Sequence, residues 1–142
     1  MRKRAMALVA VAAVSIGLAS CGDDDDDDSA EGTVDVTLSD FEIELSDSSV
    51  SAGEVTFEVE NNGPSVHEFV VFKTDLAPDA LPTDESGDVA EGDDFAPVDE
   101  IEDIAKDANP KLTVDLTAGD YVLICNIAAH YRQGMRTAFT VT

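Results

Sequence analysis

From Thr33 onward, apolar and polar residues alternate in short runs, the period-two pattern of strands that bury one face. Thr33 to Leu38, Phe41 to Leu45 and Val55 to Val59 all carry it. His67 to Phe72 is more uniformly apolar, which predicts a strand nearer the centre of the fold. Lys111 to Leu116, Tyr121 to Cys125 and Thr137 to Val141 close the series. Turns fall between the runs at Ala52-Gly53, at Asn61-Asn62-Gly63-Pro64 and at Ala118-Gly119-Asp120, where Gly and Asn tolerate positive φ and Pro ends a ladder. Seven or eight short strands with no long helical pattern predict an all-β antiparallel sandwich over residues 33–142.

One stretch breaks the pattern. Residues 73–96 are acidic and rich in Pro, Gly, Ser and Asp, a longer connection than a compact domain usually carries. Leu81 and Phe95 are its candidate anchors to the surface. Pro97 to Lys106 reads equally as a short helix entered at Pro97 or as an edge strand. The whole of 73–110 is taken as an acidic insertion of loop and short helix.

The first 32 residues are of another kind. Arg2, Lys3 and Arg4 precede an apolar run from Ala5 to Ile16 that is too short for a stable membrane span. Leu18-Ala19-Ser20-Cys21 follows, and the ordered set resembles a bacterial lipoprotein signal. That resemblance implies removal of residues 1–20, lipid on the Cys21 sulfur, and anchorage to the extracytoplasmic face of a bacterial membrane, in the cell envelope. Asp23 to Asp28 is an unbroken run of aspartates with nothing apolar to bury, so 21–32 is expected to be a disordered acidic tether.

Charge narrows the partners. Residues 1–20 hold three of the eight basic residues and no acidic one, so the remainder sets 31 acidic against five basic side chains, a formal charge of −26. Nucleic acid and anionic headgroups suit such a surface poorly, whereas cationic proteins are steered toward it. With Cys21 lipidated, Cys125 is the one thiol left and has no partner for an internal disulfide. A solitary thiol outside the cytoplasm oxidises unless it is buried or ligated.

Ligation is what the last 24 residues suggest. Cys125, His130 and Met135 stand five residues apart in turn, on a loop between two predicted strands. Thiolate, imidazole and thioether are a soft-to-borderline donor set that suits copper, and the chain's other histidine, His67, supplies a second imidazole. Beyond Cys21 there are two histidines, one cysteine and one methionine, and all four belong to this candidate mononuclear site. Zinc is the rival metal, for which a methionine ligand is a poor choice.

These residues resemble those of the cupredoxins, the blue copper proteins of the plastocyanin/azurin group. Asn62-Gly63, His67 and Phe69 are similar to the family's stretch around its first histidine ligand. Gly119-Asp120-Tyr121 through Cys125, His130, Gly134 and Met135 is similar to its C-terminal copper loop. The resemblance implies a Greek-key β-sandwich, copper on His67, Cys125, His130 and Met135, and an electron carrier working between redox proteins. It also implies the exposed edge of His130 as electron port, with Ala128, Ala129 and Tyr131 as an apolar docking patch around it. Asn61 or Asn62 is expected to hydrogen-bond across the loops that hold His67 and Cys125.

Enzyme activity is not expected. Ile124 and Asn126 flank Cys125 where a multicopper oxidase has its His-Cys-His bridge, and the second cysteine of a binuclear copper centre is absent. With both histidines committed, no nucleophile keeps a histidine base. A monomeric, membrane-tethered carrier with a basic donor and acceptor is the leading expectation. Copper storage, delivery or resistance is the alternative, and a lipoprotein that uses its sandwich for adhesion or assembly comes third.

Overall fold

The computed structural model describes residues 32–142, so the signal-like segment, Cys21 and nearly all of the tether lie outside the described residues. Among the described residues nine strands follow in order: β1 (Thr33–Ser39), β2 (Glu42–Leu45), β3 (Ser49–Val50), β4 (Gly53–Asn61), β5 (His67–Lys73), β6 (Asp99–Ile104), β7 (Lys111–Leu116), β8 (Gly119–Ile124) and β9 (Arg136–Val141). They form two sheets, ordered β2-β1-β4-β7 and β3-β9-β8-β5-β6.

The sheets are mixed rather than purely antiparallel. After β2 the chain leaves the first sheet, places β3 parallel to β9 on the edge of the second, and returns as β4 on the far side of β1. That detour delivers β4 parallel to β1, from Thr33↔Thr56 to Leu38↔Asn61. Among the described residues there is no helix. The ambiguous stretch after Pro97 is β6, an edge strand paired with β5.

Alternation decides what is buried. Val34, Val36 and Leu38 of β1 and Val55, Phe57 and Val59 of β4 face inward from the first sheet. Phe69, Val71, Leu123 and Phe139 meet them from the second. Phe57 lies at the centre, fully buried, its ring 5.2 Å from that of Phe69 and 5.4 Å from that of Phe139.

Strand β5 reads as uniformly apolar because both its faces are covered. Phe69 and Val71 point into the core, while Val70 and Phe72 join Val122, Ile124 and Tyr131 in a second apolar cluster on the outer face. The acidic segment between β5 and β6 covers that face with Leu81, Val89 and Phe95, and Phe95 stacks on Phe72 at 4.7 Å. The two strands that lead into the donor loops are therefore packed from both sides.

Phe41 departs from the alternation. It reads as the first inward residue of β2, but β2 begins at Glu42, and Phe41 sits in the two-residue turn after β1 with φ 68 and 39% exposure. A bulky residue in the left-handed region is a conformational cost that needs a local reason.

Truncating the central ring tests this packing. Phe57→Ala is expected to lower the unfolding free energy by about 3–5 kcal/mol, read from denaturant titration of the soluble domain. A loss below about 1 kcal/mol would remove Phe57 from the centre of the core.

Candidate metal centre

Three predicted ligands meet at one end of the sandwich. His67 opens β5, Cys125 directly follows β8, and His130 lies in the loop between β8 and β9. The Nδ1 atoms of His67 and His130 are 3.3 Å apart, and Cys125 Sγ lies 3.8 Å from the first and 3.4 Å from the second. A point equidistant from all three is about 2.0 Å from each, close to the roughly 2.0–2.3 Å that nitrogen and sulfur keep from an ion such as zinc. The donors thus already enclose a space of metal-ion size, and their chemistry fits copper.

Burial makes the arrangement specific. His67, Cys125 and Met135 are wholly buried and His130 is 9% exposed. Met135 lies in the same core cluster as Cys125; its carbonyl accepts the Cys125 N–H at 3.1 Å, and its own N–H donates to the His130 carbonyl at 3.1 Å. All four expected donors are therefore tied to this end of the molecule, three by converging side-chain atoms and the fourth by backbone hydrogen bonds.

The ends of the ladders explain how the donors are held. The last β5–β8 pair is Val70↔Ile124, after which the Glu68 N–H donates to Cys125 Sγ at 3.3 Å. Burial pushes the Cys125 thiol up, while the Glu68 and Ile127 N–H groups partly oppose this. Binding a metal there must expel the thiol proton. Burial, then the neighbouring His130, pulls His67 down, while Asp40 opposes the shift; the lowered value keeps the imidazole neutral at neutral pH.

Asn61 organises the approach to His67. Its Nδ2 donates to the carbonyls of Ser65 and Ile104 at 2.9 and 2.8 Å, and its Oδ1 accepts the Gly63 N–H at 3.0 Å. It ties the turn before His67 to the end of β6, not to the Cys125 loop. Asn62 is exposed, and its backbone N–H donates to the Leu38 carbonyl.

The Cys125–Met135 loop is braced by the acidic segment. Asn126 exchanges hydrogen bonds with the Val89 backbone, accepting at 2.7 Å and donating at 3.1 Å, and also donates to Glu91 at 2.7 Å. Asp88 accepts the Ala129 N–H at 2.7 Å. Tyr131 is buried, not part of a surface patch: its hydroxyl donates to the Pro78 carbonyl at 2.7 Å and accepts the Leu81 N–H at 3.1 Å. The exposed apolar groups at this end include Phe41, whose ring meets His130 edge-on at 5.4 Å and 81°, and Val66, next to His67.

Sequence reasoning missed Phe41, Asp88 and Asn126. Phe41 was hidden by an alternation it only mimics. Asp88 and Asn126 act across 41 and 37 residues of sequence, so no local pattern signals them.

Gly63 offers a test of the His67 setting. A Cβ there would stand 2.8 Å from His67 Nε2 and 3.0 Å from the Asp40 backbone nitrogen, too close for either to remain in place. Gly63→Ala is expected to weaken metal uptake by about tenfold or more through displacement of the imidazole, measured by competition titration. Unchanged affinity in a folded variant would show that His67 is not held by this contact.

No protein-family model matches the sequence, and no curated protein matches it. Solved structures do. The fold is similar to reduced auracyanin from the photosynthetic bacterium Roseiflexus castenholzii, at 20% identity over 78% of this chain and 97% of that one, with a TM-score of 0.62. It is likewise similar to an azurin from Methylomonas sp. strain J, at 20% identity over 80% and 99% of the two chains and a TM-score of 0.55. Auracyanin A, a "blue" copper protein from Chloroflexus aurantiacus, aligns at 20% identity over 78% and 100%, with a TM-score of 0.54. At this level of identity the likeness concerns architecture, and the chain has the cupredoxin fold.

Proposed function

We propose that the domain binds one copper ion through His67, Cys125, His130 and Met135 and serves as a single-electron carrier. The observation that supports this most directly is the convergence of Sγ and two Nδ1 atoms within 3.8 Å in a buried pocket. When bound, copper supplies a Cu(II)/Cu(I) couple at a site of two imidazoles, a thiolate and a weak thioether. The protein's part is to fix those donors so that little rearranges when the charge changes. Packing on both faces of β5 and β8 and the bracing of the loop by Asp88 and Val89 serve that end.

The same features favour a carrier over an enzyme. Both imidazoles and the thiolate are committed to the pocket, which leaves no histidine base for a nucleophile. Copper storage, delivery or resistance is the second reading; buried ligands favour retention of the ion over its transfer. The expected partners are redox proteins with basic docking surfaces, and the expected place of work is the extracytoplasmic face of a bacterial membrane, through lipid on Cys21.

An acidic flank adjoins the site. Burial, followed by the carboxylates of Glu102, Glu100, Glu91 and Asp103, holds Glu68 above the ordinary carboxylate range. Burial and then Glu91, Glu102 and Asp99 do the same for Glu100. Like charges gathered beside His67 and Cys125 would draw a cationic partner to the short path to the metal.

Two measurements test this function. Adding Cu(II) to the soluble domain is expected to produce an intense thiolate-to-copper band, bleached on reduction and absent in Cys125→Ser. Weak copper uptake without such a band would sink the carrier reading, and slow electron exchange with freely transferable copper would favour copper handling. Electron exchange with a cationic haem protein as probe is expected to slow steeply between low and physiological salt. Rates indifferent to ionic strength would assign docking to apolar contact alone.

A further inference from the structure

The buried imidazole of His67 has one nitrogen without a hydrogen bond. Its Nδ1 faces Cys125 and His130, but Nε2, on the other side of a wholly buried ring, has no hydrogen-bond partner. The polar atom facing it is Asp40 Oδ1, 3.4 Å away and outside hydrogen-bond geometry. A buried polar nitrogen so placed either costs stability or awaits a partner.

The surroundings are built for that partner. Asp40 belongs to the turn between β1 and β2 and is the residue before Phe41. Ser65, two residues before His67, reaches the same carboxylate with its N–H at 3.4 Å and its hydroxyl at 3.2 Å. Gly63 closes the third side, since a Cβ there would come within 2.8 Å of Nε2 and 3.0 Å of Oδ1. Phe41 keeps its unfavourable φ of 68 while its ring packs edge-on against His130. One two-residue turn therefore presents a carboxylate to the first imidazole and an aromatic ring to the second.

We propose that Asp40 is a positioning residue of the centre: its carboxylate accepts a hydrogen bond from His67 Nε2–H, which holds the ring with Nδ1 bare toward Cys125 and His130. A histidine ligand commonly donates its remaining N–H to a carboxylate or carbonyl, which fixes tautomer and orientation and strengthens the donor nitrogen. The two Nδ1 atoms, 3.3 Å apart, cannot both carry a proton directed into the shared space. A carboxylate at Asp40 also adds negative charge behind His67, which favours the more highly charged oxidation state of a bound ion. This last consequence rests on the copper reading, whereas the tautomer does not.

The test separates the two. In the metal-free protein, nitrogen-15 NMR of the imidazoles is expected to show His67 protonated on Nε2. That tautomer should persist in Asp40→Asn, which keeps an acceptor oxygen, and be lost or mixed in Asp40→Ala. A His67 protonated on Nδ1 in the wild type, or the same tautomer in all three proteins, would overturn the proposal. In copper-loaded protein, Asp40→Asn is expected to raise the ratio of Cu(I) to Cu(II) affinity about tenfold, or ~59 mV in potential for a one-electron couple. An unchanged potential in folded, fully loaded Asp40→Asn would overturn the charge effect. The predicted tautomer in a protein that forms no thiolate–copper band would support Asp40 and refute the copper function.

Discussion

The structure depends on holding three lone-pair donors against one another away from water. Two Nδ1 atoms and a sulfur within 3.8 Å of each other share at most weak thiol or tautomer-dependent hydrogen bonds, too little to gather them, and burial removes the solvent that would otherwise satisfy them. Their approach has to be enforced by what surrounds them. The sandwich does this by ending β5 and β8 side by side, so that the sulfur of Cys125 takes up the Glu68 N–H where the ladder stops. The β1–β2 turn and the Asn61 network then close the His67 side, and the loop to β9 closes the His130 side.

Rigidity at this end is collective. The loop carries its own backbone hydrogen bonds, from Cys125 to Met135 and from Met135 to His130, but its outer surface is fixed by the acidic segment. That segment's charge and its Pro and Gly content suit a solvated connection. Three of its apolar side chains and its backbone instead make it a cover for the strands that lead into the site. Its carboxylates keep it soluble while Leu81, Val89 and Phe95 keep it attached.

Much of this was legible in the sequence, and the exceptions have physical causes. Alternation located the strands because one face of each is buried, and the four donors stood out because such residues are scarce beyond Cys21. The parallel pairs were not legible, since strand direction follows from β3 crossing between the sheets, and a two-residue strand leaves little pattern. Phe41 was misplaced because alternation does not distinguish a strand's first residue from a turn residue beside it. Tyr131 was read as surface because it borders His130 in sequence, yet its hydroxyl is held by the backbone about fifty residues earlier. Asp40 carried no signal among 31 acidic residues, and only its place opposite a buried nitrogen singles it out.

The bracing of the Cys125–Met135 loop bears on how this domain can vary and be re-engineered. A ligand loop anchored only by its two strand ends is a detachable module, open to exchange for one of another length. Here Asn126, Ala129 and Tyr131 each have their counterpart in residues 78–91. A grafted loop would have to bring a backbone N–H to Asp88 and side chains able to replace Asn126 on the Val89 backbone and Tyr131 on the Pro78 carbonyl. The interchangeable unit is thus a pair of segments distant in sequence, and changes in one are constrained by the other.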